Sequence, residues 1–563
     1  MKKNRVTRTE NTLNLWGFGG VADKEIEQSK EPSAKVITLD FSATESSQEP
    51  TIDPVMHKRY DRLPKHASIS KPHTPVPPAP SSQVSSTDEK QHSCVAESNL
   101  LDVPAKEPVT HKRLGRPPKD LSLLKSYISV PRPCLTRSHP NQVSSARELD
   151  AFLRNFHLES SLASIDEKQD TEVAESKISG VPVNKYINEF WTAKQRDASS
   201  LHEVSYRACF KPQLPRFFID LLTAEGDVVY DPFGGRGTTI VEANLAGRVG
   251  ISNDINPLSE IFAAPRLCLP ELSDIEKRLD EIPFDKTKNS DIDLSMFYHP
   301  DTLGEIVSLK EYLIKKAESG EEDYVDKWIR MVATNRLTGH SPGFFSVYTL
   351  PPNQAVSQER QKKINEKRNQ IPDYRNVKKI ILKKSNQLLS QVSVEEKEHI
   401  AICGKQSLFV NSDARYTTVI PDNTVQLTVT SPPFLNIVQY SADNWLRCWF
   451  NNSDSEAIGQ KITMSRTVEQ WSGVMGDVFK ELYRITKTGG WVAFEVGEVR
   501  NGSISLDDFV VPLGINVGFS LFGVLVNSQK FTKTANIWGI SNNSCGTNTN
   551  RIVIFTKESV TGA

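Results

Sequence analysis

Several features that would mark a secreted, membrane-spanning or metal-centred protein are missing from this chain. Its seven cysteines, Cys94, Cys134, Cys209, Cys268, Cys403, Cys448 and Cys545, are widely scattered and form no Cys-x-x-Cys pair. Neither a disulfide framework nor a thiolate zinc site is therefore expected. No apolar run reaches the roughly eighteen residues of a membrane span, and the first residues do not read as a secretion signal. A soluble, cytoplasmic protein (nucleoid-associated if bacterial) without membrane contact is expected. Charge of one sign is also lacking: 68 Lys and Arg offset 69 Asp and Glu, a net charge of −1. Any affinity for nucleic acid must then come from local basic patches. His340 has no histidine, cysteine or acid at ligand spacing, so no metal is expected.

What is present divides at about residue 180. Residues 1–180 are rich in Pro, Ser, Lys, Glu and Thr with poor hydrophobic periodicity, as in disorder or short docking segments. They carry diverged repeats: Pro54–Arg59 returns as Pro108–Arg113, and Asp88–Ser98 returns as Asp166–Ser176. The offsets differ, which excludes a regular solenoid. Thr12-Leu13-Asn14-Leu15-Trp16 faintly resembles a bacterial sliding-clamp peptide, but five residues are too few, and a disordered N-terminus with one apolar cluster is the stronger reading. No nuclease constellation is evident in this region.

The globular part holds two motifs. Val425 to Val429 reads as a buried strand and runs into Thr430-Ser431-Pro432-Pro433-Phe434. The prolines fix φ and remove N–H donors, so the turn presents acceptors. Ser431 and the Pro432 carbonyl suit the hydrogens of an exocyclic amine on a flat base, and Phe434 can stack on that base. Upstream, Asp227 to Thr239 reads strand, glycine-rich turn and helix start, with Asp231, Phe233, Gly234, Gly235, Gly237, Thr238 and Thr239 in the turn. Glycines let the backbone approach a ligand, and a helix N-terminus favours an anionic group. A second short strand, Val249 to Asn253, then ends in Asp254, at a distance that suits ribose hydroxyls.

Taken in order, these motifs resemble the S-adenosylmethionine-dependent amino-methyltransferases of DNA, particularly the N4-cytosine-specific group. The resemblance covers about residues 186–558. It implies an α/β fold: a Rossmann-like seven-strand sheet with an inserted, largely helical target-recognition region and a disordered N-terminal extension. It assigns the methionine part of S-adenosylmethionine to the loop at Asp231, Gly234, Gly235 and Gly237, and the ribose to Asp254. Tyr206 to Pro215, with Phe210 and Lys211, matches the preceding cofactor motif, and Asp413 the acid near the adenine. Thr430 completes the cofactor-binding set. Ser431, Pro432, Pro433 and Phe434 take the catalytic positions. Adenine-N6 enzymes usually carry Asp where Ser431 stands, so N4 of cytosine is the expected target and N6 of adenine the alternative. C5-cytosine methylation would need a cysteine nucleophile in a Pro-Cys-Gln context, and the sole Pro-Cys is Pro133-Cys134-Leu135. A target base must leave the duplex to be reached, so double-stranded DNA is the expected partner, with a cognate restriction endonuclease as a further candidate.

The expected division is 1–180 N-terminal region, 181–267 cofactor half, 268–400 target recognition, and 401–563 catalytic half. Tyr186 to Lys194 is predicted as a helix ahead of the cofactor motifs. About 160 residues separate Asp254 from Asp413, far beyond an ordinary connection. Within them, helices are predicted over 303–317 and 325–335, followed by the aromatic segment Gly339 to Tyr348 with His340. The stretch Arg360 to Lys384 then holds ten Lys or Arg against two acids, including Lys362, Lys363, Lys367 and Arg368. Basic residues with nearby aromatics suit a DNA backbone and a splayed base; a solvated helix beside a core loop reads the same. Tyr440 and Asn444 are candidates for the wall of the base pocket, although Trp445 to Phe450 also fit a buried helix. Gly115-Arg116-Pro117-Pro118-Lys119 resembles an AT-hook, with Arg116 and Lys119 directed at a minor groove. Two other classes compete with DNA methylation: an RNA base methyltransferase, and a DNA-binding regulator without catalysis.

Overall fold

The computed structural model describes residues 142–158, 170–191, 198–207, 209–350, 354–433, 440–462, 465, 467–499, 504–530 and 547–558. All of them lie within one compact unit, Glu107–Ala563. Arg116, Lys119, the clamp-like peptide and Phe434 fall outside the described residues.

Nine strands make one sheet. In chain order they are β1 (Glu172–Ile178), β2 (Val181–Asn188), β3 (Val228–Asp231), β4 (Val249–Asn253), β5 (Leu408–Val410), β6 (Val425–Thr430), β7 (Thr486–Val496), then β10 (Ser520–Lys530) and β11 (Thr547–Thr556). Two short strands, β8 (Glu498–Val499) and β9 (Ile504–Ser505), pair only with each other. The order across the large sheet is β1-β2-β10-β11-β7-β6-β3-β4-β5. β3 lies parallel to β4 and β6, β6 parallel to β7, and β11 antiparallel to β7 and β10. Seven strands therefore form the expected Rossmann-like core, and the β1–β2 hairpin extends it to nine.

That hairpin corrects the predicted helix at 186–194. Ser179 and Gly180 both adopt positive φ, at 50° and 84°, the requirement of a two-residue turn that matches strand twist. β2 then pairs in parallel with β10, from Val524 opposite Lys185 to Asn527 opposite Asn188. Tyr186 stacks on Phe522 with ring centroids 5.5 Å apart, and its hydroxyl donates to Asp150 at 2.5 Å. Cross-strand packing outweighs the local pattern of so short a segment. Ordered structure also begins before residue 180: β1 and the helix α1 (Ala146–Arg154) both precede it, and β1 contains Val173 to Ser176 of the second repeat.

The central strands are apolar on both faces, as strands covered by helices must be. Val228, Tyr230, Val492, Phe494, Val553 and Phe555 join one core cluster, and their neighbours Val229, Ala493, Ile552 and Ile554 the opposite one. α2 (Gln213–Leu222) packs on the second face. The first cluster takes in buried residues of the helix Val468–Ile485 and the helix Asp507–Asn516. A third cluster is built on α3 (Thr238–Leu245), α4 (Leu258–Ala263) and the long insertion.

The insertion forms α5 (Leu272–Glu281), α6 (Pro300–Ser319), α7 (Tyr324–Arg336), α8 (Gln358–Arg368), α9 (Val377–Leu389) and α10 (Val394–Cys403). The expected helices at 303–317 and 325–335 are α6 and α7. Pro300 opens α6 and Gly320, at φ 74°, ends it, as helix termini favour. A capping box of Asp323 and Asp326 starts α7. Trp328 on α7, fully buried, donates its indole N–H to Ser385 on α9 at 3.0 Å. Insertion residues such as Ile275, Ile306, Trp328 and Ile381 share one cluster with Ile240 and Val241 of α3. The insertion is thus packed onto the sheet and has no separate core. After β6 come α11 (Tyr440–Phe450), α12 (Ser455–Lys461), α13 (Val468–Ile485) and α14 (Asp507–Asn516). Among the described residues no helix is long and apolar enough to cross a membrane.

Candidate active site

Strand order reverses between β3 and β6, and ligands of such sheets sit at the carboxyl ends of the strands flanking that point. Asp231 ends β3, Asp254 follows β4, Thr430 ends β6 and Ser431 follows it. The two motifs, about two hundred residues apart in the chain, meet here through Asp231. One carboxylate oxygen of Asp231 accepts from the Thr430 hydroxyl at 2.6 Å and the Phe233 N–H at 3.0 Å. The other accepts from the Thr239 hydroxyl at 2.9 Å, which also lies 3.2 Å from the Val429 carbonyl oxygen. Asp231 is almost fully buried; burial raises its carboxyl to about 6, against the pull of those donors. With its oxygens occupied in this way, Asp231 latches the glycine loop to the end of β6.

The glycines have separate reasons. A Cβ on Gly234 would stand 2.0 Å from the Ser252 hydroxyl, and one on Gly237 2.4 Å from Ala263 Cβ, with φ at 79°. Both are demanded by packing and backbone conformation. Gly235, at φ 54°, has only ordinary contact near its Cβ position, with the Tyr206 ring at 3.7 Å. At Gly235 the positive φ, rather than a clash, is what favours glycine. Its N–H donates to Asp254 at 2.8 Å, and the other Asp254 oxygen accepts from the Asn256 N–H at 2.8 Å. Burial raises Asp254 to about 6. Its main chain is held from β5: its N–H donates to the Val410 carbonyl at 3.0 Å, and Asn411 donates to its carbonyl at 2.7 Å.

Arg236, inside the loop, points away from the opening. It is buried and donates to the carbonyls of His202 at 3.0 Å and Val204 at 2.9 Å, and to Thr238 at 3.2 Å. It holds the segment that places Tyr206 beside Gly235. Arg266, fully buried, donates in turn to the Leu201, Phe262 and Arg236 carbonyls. Phe210 packs against the aromatic and aliphatic cluster of α2, and burial lowers the Lys211 ammonium. Asp413, just past β5, gives its carboxylate to its neighbour Arg415 at 2.6 and 2.9 Å, and that pairing holds it below the usual carboxylate range.

Beyond the latch, Ser431 is partly exposed and Pro432 buried. The Trp471 indole N–H donates to the Pro433 carbonyl at 3.1 Å, tying the turn to α13. The pairing of Thr430 with Phe494 brings Glu495 of β7 alongside. Glu495 is 8% exposed; burial pushes its carboxyl up to about 7, against a hydrogen bond with the Ser431 hydroxyl. A serine hydroxyl donating to a carboxylate turns its lone pairs outward, ready to accept. Sequence reasoning missed Glu495. Its one signal was an acid amid the apolar run Trp491 to Val496, where a burial cost requires a partner.

The residues proposed for nucleic acid divide by exposure. Lys362, Lys363, Lys367 and Arg368 are exposed on α8, with Arg368 stacked over Tyr348 at 3.7 Å. The aromatic segment after Gly339 is buried: Phe344 is 5% and Phe345 0% exposed, so neither can stack on a splayed base. His340 is partly buried beside Phe344 at 6.3 Å. Asn444 is buried, and its carbonyl oxygen accepts from Arg447 at 2.8 Å, which sets it in the packing of α11. Tyr440 opens α11; its side chain lies outside the described atoms. Among the described residues no cluster of three His, Cys, Asp or Glu could hold a metal ion.

Similarity to solved structures is slight. The rRNA methyltransferase AviRa of Streptomyces viridochromogenes aligns over 66% of this chain and 95% of its own at 9% identity, with a TM-score of 0.27. A TehB-like S-adenosylmethionine-dependent methyltransferase of Corynebacterium glutamicum aligns over 61% and 87% at 8% identity, with a TM-score of 0.22. Scores so low carry no argument, and the fold rests on the strand order above. Two curated relatives are type II methyltransferases: M.MjaII of Methanocaldococcus jannaschii, 29% identical over 135 residues, and M.MvaI of Kocuria varians, 28% identical over 119. These matches take in 22% and 21% of this chain and 25% of each relative's length. Residues 140–261, from just before α1 through the glycine loop and Asp254 into α4, match the N6_N4_Mtase family, described as DNA methylase.

Proposed function

We propose that this chain is an S-adenosylmethionine-dependent DNA methyltransferase that modifies an exocyclic amine, with N4 of a flipped-out cytosine as its target. The observation that carries the reading is the latch: Asp231 of the glycine loop bonded to Thr430, one residue before Ser431. A cofactor cradle and an amine-orienting turn are thereby held at one switch point. The match of residues 140–261 to a DNA methylase family and the type II methyltransferase relatives support DNA as the substrate. The residues present fit the cofactor: a glycine turn beside the Tyr206 ring, with the Asp254 carboxylate held against the Gly235 N–H, sets an aromatic face and an acceptor for ribose hydroxyls at the ends of β3 and β4. Asp254 would hold the ribose, and the Gly235 region with Tyr206 the methionine end. Bound S-adenosylmethionine supplies a methyl group already activated on a sulfonium.

The chain's own work is then alignment. Ser431, its hydroxyl committed as donor to Glu495, accepts an amine hydrogen and draws the nitrogen lone pair out of ring conjugation. The Pro432 carbonyl accepts the other hydrogen. The proton shed by the amine passes to the Ser431 hydroxyl as that hydroxyl gives its own to the ionised Glu495, so the displaced proton ends on the Glu495 carboxylate. Alignment of this kind can lower a barrier by roughly 7–11 kcal/mol at most. Adenine N6 is the second reading, because Ser431 and the Pro432 carbonyl would orient that amine in the same way. Membership of a restriction-modification pair, with a separate endonuclease at the same site, belongs to the same proposal.

Nucleoside mass spectrometry on DNA from a methylation-deficient host expressing the chain tests this directly. N4-methylcytosine that depends on the intact protein is the expected result. N6-methyladenine would keep the site and overturn the base assignment, and neither mark from a folded, cofactor-binding protein would overturn DNA methylation. Asp254→Ala should weaken S-adenosylmethionine affinity by about 10- to 100-fold in calorimetric titration, the worth of hydrogen bonds to a charged group. Unchanged affinity would remove Asp254 from the ribose role.

A further inference from the structure

We infer that Ile371 is a wedge that inserts between base pairs of duplex DNA, mounted on a rigid loop between two basic helices. The inference rests on the DNA reading above. Ile371 lies between α8 and α9 and is 88% exposed. A single exposed aliphatic residue is ordinary in itself; here the mounting and surroundings are not. Pro372 confines Ile371 to extended backbone, and Asn369 turns the chain out of α8 at φ 47°.

Both sides of the loop are pinned. Gln370 donates to the Tyr348 carbonyl at 2.9 Å and to Asn365 at 2.8 Å. The Tyr374 hydroxyl donates to Glu305 at 2.7 Å. Arg375 exchanges backbone bonds with the Thr302 hydroxyl at 2.8 and 3.1 Å. Its guanidinium gathers the carbonyls of Ser341 and Phe344, each at 3.1 Å, and that of Ser346. The loop thus holds an apolar side chain in water at little further entropic cost when a ligand covers it.

Charge selects the ligand. Arg360 to Lys384 carries ten cations and two acids, and one of those acids, Asp373, is bound to Arg375 at 3.0 Å. Among the described residues, exposed Lys367, Lys379 and Lys383 have no carboxylate partner, and Lys363 has only its α8 neighbour Glu359. An apolar tip between two helices that carry exposed lysines fits a polyanion that offers an apolar slot, which is a duplex opened at one base step. The loop also joins the candidate active site through packed groups. Arg375 clamps the Phe344 carbonyl, Phe344 lies under the Arg336 guanidinium at 3.9 Å, and adjacent Asn335 donates to the Ser205 carbonyl at 3.1 Å, next to Tyr206. Phe344 and Phe345 are buried and Tyr374 is tied by its hydroxyl to Glu305, so Ile371 is the most exposed apolar side chain of this basic face among the described residues.

The test uses the full chain and nicked plasmid DNA sealed by ligase with the protein bound, read as the change in linking number per bound molecule. Wild type should unwind the plasmid, and Ile371→Ala should lose most of that shift at equal occupancy. A Lys363→Ala/Lys367→Ala/Lys379→Ala variant should instead bind more weakly, with a salt slope smaller by about three, yet keep the shift per bound molecule. An undiminished shift in Ile371→Ala, or binding by wild type with no shift, overturns the wedge and leaves DNA methylation standing. Failure of a folded, cofactor-binding wild type to bind the plasmid overturns both. Should Ile371→Asp dissociate an oligomer in sedimentation without altering the shift, the residue belongs to an interface between copies and the wedge is overturned.

Discussion

Ser431→Ala should lower turnover by about two to three orders of magnitude, the usual worth of one preorganised polar group at a reacting centre. S-adenosylmethionine affinity should stay within about twofold, because the cofactor cradle makes no use of this hydroxyl and separate sites act independently. The split follows from position. Ser431 stands just beyond the latch, whereas Asp231 is engaged by Thr430, Thr239 and the Phe233 N–H. Losing the serine hydroxyl leaves those bonds in place and takes away one acceptor for the amine. Single-turnover kinetics beside calorimetric titration separate the two quantities. Loss of both to the same degree would mean that Ser431 supports the cradle and that the amine-orienting role is wrong.

Glu495→Gln should remove a pH dependence centred near 7 and lower turnover about tenfold or more at pH 8, the cost of losing a charged hydrogen-bond acceptor. Wild-type turnover should rise through about pH 7 as the carboxyl, held up to about 7 by burial, ionises and takes the Ser431 proton more strongly. The same group acts on stability with the opposite sense. Its folded value lies above the ordinary 4.5 of an unfolded chain, so between those values the native state binds more protons than the unfolded one. Stability is then fully present below about 4.5 and falls as pH rises through about 7, by an upper estimate of about 3 kcal/mol. Asp231 and Asp254, both raised to about 6 by burial, add losses of the same sign between about pH 4 and 6. The cofactor-free protein should therefore melt at a lower temperature at pH 8 than at pH 5, and Glu495→Gln should narrow that gap. Buried His202, lowered by burial, acts in the opposite sense up to about pH 6.5, so the deciding comparison is between variants: a gap that Glu495→Gln leaves unchanged would contradict the burial of this carboxyl.

The local pattern specified a good deal of this molecule. Val228 to Asp231, Val249 to Asn253 and Val425 to Thr430 are short apolar runs with turn residues after them, and they became β3, β4 and β6 with little shift of boundary. Periodicity did the same for α6 and α7. Gly237 and Gly234 were legible as special positions, although packing against Ala263 and Ser252, rather than room for a ligand, accounts for them. Arg236 sat in plain view in the loop, but nothing local says that its guanidinium turns back to the carbonyls of His202 and Val204.

Long-range contact decided the rest. Tyr186 to Asn188 has no strong period of its own; β10 and Phe522 made it a strand. Phe344 and Phe345 carry the same composition whether they face a base or a core, and only packing against the insertion placed them inside. The basic stretch reads alike as a solvated helix or a DNA face, and only the bonds of Arg375 to the carbonyls of Ser341, Phe344 and Ser346 fix the loop that holds Ile371 out. Glu495 acquired its place because β7 lies beside β6 in a register that brings it to Ser431. Pattern and turn chemistry act over a few residues and so determined the strands, helices and loop of this protein. Partners for buried polar groups are supplied across the sheet, and the tertiary structure alone decided which acid, arginine and aromatic ring would meet the motifs.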